Sequence, residues 1–315
     1  MAETTLDQLE GKKRLSRREA LKIFGISGAA VVVPEVARWG VEQLVNNQDR
    51  IANIALAAEI HAGEFRMEKI GKLRTLAQLR DSLEGSLEAL SGISEAQIMV
   101  QDGDKRTSLR FGTAPENIFP ASVIKVPICY EAWKKGQELG KTFLTAELAD
   151  EILHKSYTFK DLVMQLPNAK GKTPEQLEQI VRDLLGKAGI VPKNRPGDLP
   201  LRVGMSDLFD YLSRMKLPQV MKKAMLQTQE DHGSNYGVSQ VLLDTIGDSV
   251  PAFFKIGLIY DPKREPKELV NSYYFQLGDS LKALGYAKGT EVDDVHASML
   301  HTAARLGSYS VNSQL

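Results

Sequence analysis

Phe119-Pro120-Ala121-Ser122-Val123-Ile124-Lys125-Val126-Pro127 joins an extended, turn-punctuated stretch to an apolar helical run. Upstream, Gln97-Ile98-Met99-Val100-Gln101 and Ser108-Leu109-Arg110-Phe111 read as two strands around a Gly103-Asp104 turn. Downstream, Val126, Ile128, Cys129, Ala132 and Trp133 recur as the apolar face of a helix that begins after Pro120. Residues three apart on a helix share a face, and the first turn leaves backbone N–H groups unpaired. Ser122 and Lys125 therefore point the same way, at the positive end of the helix dipole. A lysine buried there can be neutral near neutral pH and take the proton of a neighbouring hydroxyl, which makes a nucleophile without a histidine. The same spacing turns up roughly once by chance in a chain rich in Ser and Lys, so a plain buried helix start is the competing reading. Ser213-Arg214-Met215-Lys216 is such a match; it ends a polar helical run at 206–215 that Pro218 stops, and it reads as a helix end.

The 315 residues allow one large domain with an appendage, and 43% hydrophobic content with 25% charge suits a fold with a sizeable core. Forty acidic residues balance forty basic ones, which leaves no bulk charge to favour nucleic acid or another polyanion. The single cysteine, Cys129, excludes an intramolecular disulfide and any cysteine-based zinc cluster, and reads as a small buried apolar residue. His61, His154, His232, His296 and His301 form no metal-ligand pair at helical spacing, so neither a metal nor a cofactor is expected.

Ser16-Arg17-Arg18-Glu19-Ala20-Leu21-Lys22 precedes a run at 23–33 that is apolar apart from small Gly and Ser residues, too short to span a bilayer comfortably. This resembles a twin-arginine export signal, with Ala20 where that pattern usually carries Phe; a basic tail before a small amphipathic helix is the alternative. Residues 1–40 are accordingly read as a signal or a membrane tether, which implies an exported protein of the periplasm or cell surface. Residues 41–90 read as a helical connecting region in which Leu73, Leu76, Leu79, Leu83, Leu87 and Leu90 recur at threes and fours. Such a stripe usually faces a core, and a stalk or self-association helix is the sharper alternative.

The main domain is expected at 91–315. Helices are expected at 133–139, 144–154, 173–185 and 206–215, with a loop at 192–200 built around Pro196-Gly197-Asp198. The run at 250–260, which carries Lys255-Ile256-Gly257, has the β-branched and aromatic character of a buried strand; a second strand at 271–277 and a helix at 292–306 close the chain. Strands at both ends of a helical middle point to an α+β fold with one antiparallel sheet assembled from distant segments.

Phe119 to Pro127 resembles the start of the active-site helix in class A β-lactamases and penicillin-binding proteins. That superfamily uses Ser-x-x-Lys, then Ser-Asp-Asn or a relative, then Lys-Thr-Gly on a strand. Ser156-Tyr157-Thr158 and Lys255-Ile256-Gly257 stand in the second and third places, in the right order. Pro196-Gly197-Asp198 resembles the end of the loop that borders the class A site. The resemblance implies a β-lactamase/transpeptidase-like fold with a helical subdomain. It implies that Ser122 is acylated, that Lys125 accepts its proton, and that Ser156 relays the proton to the leaving nitrogen. Lys255 would hold a substrate carboxylate and keep Lys125 deprotonated, and Thr158 would contact the substrate. The N–H groups of Ser122 and Leu258 would form an oxyanion hole, with Gly257 letting the backbone approach the acyl group.

Three departures bear on what such a site would do. Thr158 stands where the family carries an asparagine, Ile256 where it carries a hydroxyl, and 184–197 holds no acidic residue to activate a deacylating water. The implied activity is a serine hydrolase or transpeptidase acting on amide bonds of β-lactam-like or peptidoglycan-like substrates, with slow deacylation. A β-lactamase-like domain that has lost turnover and serves as an exported binding or scaffold module is the alternative.

Overall fold

The computed structural model describes residues 70–113, 115–154, 160–167, 169–196, 201–226, 238–247, 250–260 and 269–313. The expected signal or tether at 1–40, Ser156, Thr158, Gly197 and Asp198 lie outside them.

The sheet begins where the sequence places its first hairpin. β1 (Ile93–Asp102) and β2 (Lys105–Gly112) pair antiparallel, with Asp102 opposite Lys105 across the turn. The late strands are β5 (Ala252–Tyr260), β6 (Leu269–Leu277) and β7 (Leu281–Gly289). A short pair, β3 (Asn117–Ile118) and β4 (Val203–Gly204), stands apart from them. The main sheet runs β2-β1-β7-β6-β5 and every pairing in it is antiparallel, so strands from both ends of the chain meet at β1 and β7.

Helices cover both faces, and the two-residue period of β6 shows how. Val270 and Tyr274 join one apolar cluster, while Leu269, Tyr273, Phe275 and Leu277 join the other. The second cluster lies under α1 (Leu76–Glu88), α8 (Val238–Ile246) and α9 (Val292–Asn312). α1 starts at a capping box in which the Thr75 and Gln78 side chains each accept from the other's backbone N–H, and it buries Leu79, Leu83 and Leu87. The leucine stripe thus faces the core, and the chain builds that core from residues on both sides of Ser91.

The first cluster holds the helical middle: α2 (Lys125–Leu139), α3 (Ala146–Ala149), α4 (Lys160–Gln165), α5 (Pro174–Lys187), α6 (Met205–Arg214) and α7 (Gln219–Met225). A π-helical turn, Asp150–His154, follows α3 directly. The expected α+β arrangement, an antiparallel sheet flanked by helices, is the observed one.

β7 is the strand that local pattern does not announce. Its Lys282, Gly285, Lys288 and Gly289 are poor strand formers, yet all nine residues are buried between β1 and β6. Pairing on both edges overrides propensity, and the charged heads find partners. Lys282 Nζ donates to the carbonyls of Ser213 (2.7 Å) and Met215 (2.8 Å), and Lys288 lies 3.8 Å from Glu95. Gly285 makes room for an aromatic ring, because a Cβ there would stand 1.9 Å from Tyr273. Gly285→Ala should lower stability by about 2 kcal/mol, measured as a drop in the denaturant midpoint, since the ring is fully buried under α9 with its hydroxyl against Thr302.

The second Ser-x-x-Lys is a helix end, as its context suggests. The Ser213 hydroxyl donates to Asp210 O (3.1 Å) and accepts from Arg106 (3.0 Å), and its carbonyl takes Lys282.

Candidate active site

Pro120 does not lead straight into an α-helix. Residues Ala121–Ile124 form one turn of 3₁₀ helix, with the Val123 N–H donating to Pro120 O at 2.9 Å, and α2 begins at Lys125. In a 3₁₀ turn residues i and i+3 eclipse, so Ser122 and Lys125 are aligned more closely than α-helical spacing would place them. Ala121 enters the turn at φ +44, a left-handed conformation that an L side chain resists. Such strain, of order 1–3 kcal/mol, persists only where the surroundings hold it.

The surroundings are two neighbouring residues on adjacent strands. A Cβ on Gly257 of β5 would lie 2.3 Å from Ser122 N and 2.6 Å from Ala121 Cβ, so the glycine lets the strand touch the turn. Across the ladder from Gly257 is Ser272 of β6, whose hydroxyl donates to Phe119 O at 2.9 Å. Leu258 follows Gly257 on β5 and pairs with Asn271. The half-buried Ser122 therefore sits with its backbone N–H against an outer strand of the sheet.

The alternation along β5 sorts the Lys255-Ile256-Gly257 motif. Phe253, Lys255 and Gly257 share the face toward the 3₁₀ turn, while Ile256 packs into the opposite core with the α8 and α9 side chains. Ile256, where the resembled family carries a hydroxyl, thus points away from the 3₁₀ turn. A hydroxyl at 256 would lie in an apolar core on the far side of the sheet from Ser122, so the residue is a packing residue.

Two amines share the space beside the turn. Lys125 is 9% exposed and Lys255 is 3% exposed. Burial, partly offset by Cys129, brings the Lys125 amine down to about 8. Lys255 is pushed well below its ordinary value, first by burial and then by the charge of Lys125. Two amines this close disfavour being charged together, and the more buried one, Lys255, is the more strongly held toward its neutral form. Lys255 Nζ donates to Leu153 O at 2.6 Å, in the π-helical turn that ends two residues before Ser156 in the sequence. A π turn breaks the regular i−4 pattern and leaves carbonyls aimed elsewhere, and one of them holds this lysine. Cys129, one turn along α2 from Lys125, is fully buried and its thiol is pushed up to about 12, so it is no thiolate.

The described part of the loop expected to border the site is tied to α5. The Arg182 guanidinium of α5 pairs with Glu178 and donates to the carbonyls of Asn194 (2.8 Å) and Arg195 (2.9 Å). The Asn194 side chain in turn accepts from the N–H of Arg202. Its described residues between 184 and 196 bring no carboxylate.

No family model matches the sequence, and no curated protein does. Among solved structures the chain is similar to the TLA-1 extended-spectrum β-lactamase, at 10% identity over 74% of this chain and 99% of that one, with a TM-score of 0.48. It is similar to a β-lactamase from Burkholderia vietnamiensis, at 11% identity over 75% and 97%, TM-score 0.46. It is also similar to a peptidoglycan synthetase from Bifidobacterium adolescentis, at 12% identity over 75% of this chain and 60% of that one, TM-score 0.44. Roles for individual residues come from the geometry.

Of the residues singled out in the sequence, Ser122, Lys125, Lys255, Gly257 and Leu258 converge on the junction of the 3₁₀ turn with β5. Sequence reasoning missed Ala121, Ser272 and the Leu153 carbonyl. A serine inside an apolar strand carries no local signal, and neither does the direction of a backbone carbonyl.

Proposed function

We propose that this chain is a serine acyl-transfer enzyme that attacks amide bonds through Ser122, of β-lactamase-related chemistry. The observation that carries this reading is the strained turn holding Ser122 against Gly257 with two buried amines beside it, both lowered by burial. Lys125 in its neutral form accepts the Ser122 proton as the hydroxyl oxygen attacks the carbonyl carbon. The N–H groups of Ser122 and Leu258 take the charge that develops on the carbonyl oxygen. In this reading Ser156 returns the proton to the leaving nitrogen and Thr158 contacts the substrate, the roles that the resemblance implies for them.

Burial, and after it the charge of Lys125, disfavours the charged form of Lys255. A substrate carboxylate arriving beside it draws a proton onto the amine, so anion binding and charging are one event. The substrate in this reading is a small molecule or peptide amide with a carboxylate, of the β-lactam or peptidoglycan type. The acyl-enzyme turns over slowly, because 184–197 holds no acidic residue to activate a deacylating water. The twin-arginine-like segment assigns the reaction to the outside of the cytoplasmic membrane, with the N-terminus removed or kept as a tether. Among the described residues no helix is long and apolar enough to cross a membrane.

Intact-protein mass after incubation with a β-lactam tests the proposal. Wild type should gain one β-lactam mass that persists through desalting, and Ser122→Ala should gain none. No adduct on wild type, across several β-lactams and activated esters, would sink the enzyme and leave the exported binding or scaffold module as the better account.

A further inference from the structure

We infer that Ser272 is a positioning residue for the nucleophile: its hydroxyl, through Phe119 O, holds the left-handed Ala121 and so aims Ser122 along β5. This inference rests on Ser122 being the acylated residue. Ser272 is fully buried on β6, on the face that carries Val270 and Tyr274. A buried hydroxyl must be bonded, and an apolar residue would otherwise suit this strand. Its hydroxyl instead donates to Phe119 O, three residues before the nucleophile. Immediately after Phe119 come Pro120, whose ring limits φ, and Ala121, held at φ +44. The turn is therefore anchored twice by paired positions on adjacent strands. Gly257 sets how close Ser122 N comes to β5, and Ser272 sets where the segment leading into Ala121 is tied. Steric contact alone keeps the turn from moving inward. The hydrogen bond at Phe119 O, with the buried Val123 and Ile124 side chains beyond it, resists relaxation outward toward the unstrained conformation Ala121 prefers.

Removing the hydroxyl should cost reactivity more than binding. In Ser272→Ala the rate of adduct formation at saturating β-lactam should fall about tenfold, since small misplacements of an attacking atom are felt directly in the barrier. The concentration for half-saturation and the pH at which the rate turns up should stay at their wild-type values, because neither Lys125 nor Lys255 is touched. Ser272→Thr, which keeps the hydroxyl on a strand-compatible side chain, should restore most of the rate. Hydrogen exchange gives a readout that needs no reaction: amides of 121–124 should exchange about tenfold faster in Ser272→Ala than in wild type, with α9 and β7 unchanged. A wild-type acylation rate in Ser272→Ala would overturn the inference, as would unaltered exchange at 121–124. Slowing that Ser272→Thr shares in full would overturn it too. A wild type that forms no adduct overturns the enzyme reading instead, and the exchange comparison then decides the anchor by itself.

Discussion

Gly257→Ala should nearly abolish acylation of Ser122 while leaving the protein folded. The added Cβ would stand 2.3 Å from Ser122 N, 2.6 Å from Ala121 Cβ and 3.1 Å from Ala121 C, and none of these is the flexible end of a side chain. Something on the backbone must move. The strand is held by its full pairing with β6, so the turn is the partner that yields. Overpacking of this kind costs about 1–3 kcal/mol, which a folded domain survives. The chemistry does not survive it as well. Lifting the Ser122 N–H away from β5 separates the two proposed oxyanion donors, and losing one such donor lowers rates by about 100-fold or more. The checks are the acylation rate by time-resolved mass measurement and the denaturant midpoint. A variant that acylates at the wild-type rate would show that the Ser122 N–H and β5 do not act as a pair.

Lys125→Met should remove acylation and, in the same experiment, reveal what the buried amine does to stability. General-base assistance contributes about 100- to 10,000-fold, so the variant should fall by that range. In wild type the acylation rate should climb with pH and level off above an inflection near 8, because the amine must be neutral to accept the proton. The stability effect follows from linkage. Lys125 holds its proton at about 8 in the folded chain against 10.5 for a lysine in water. Between those values the unfolded chain binds more protons, so wild-type stability rises with pH across that window and is flat below it. The difference amounts to about 3 kcal/mol of folding free energy withheld at neutral pH. Lys125→Met has no such dependence. Its stability relative to wild type should be greatest at pH values below 8 and should decline steadily toward 10.5, read as unfolding midpoints at a series of pH values. A constant difference would mean that burial does not lower the affinity of Lys125 for its proton.

These two variants probe the parts of the site that were written into the chain in different ways. Ser122 and Lys125 are three residues apart, and nothing beyond one turn of helix is needed to align them. The same holds for the Thr75–Gln78 capping box, the leucines of α1 and the β1–β2 hairpin, each legible because its pattern repeats within a few residues. Pairing β1 with β7 could not be read that way. Neither could β7 itself, where two lysines and two glycines hide a strand whose partners lie far off in the chain.

The local code therefore determined the helix and hairpin units, the α+β class and a serine–lysine pair at a helix start. Tertiary structure decided whether that pair has any chemistry. Only the meeting of β5 with the 3₁₀ turn buries Lys125, brings Lys255 beside it, turns Ile256 away and sets Gly257 and Ser272 against the segment that carries Ser122. The physical reason is that periodicity is carried by neighbouring side chains. Desolvation and backbone strain instead depend on which distant surfaces exclude water from each other.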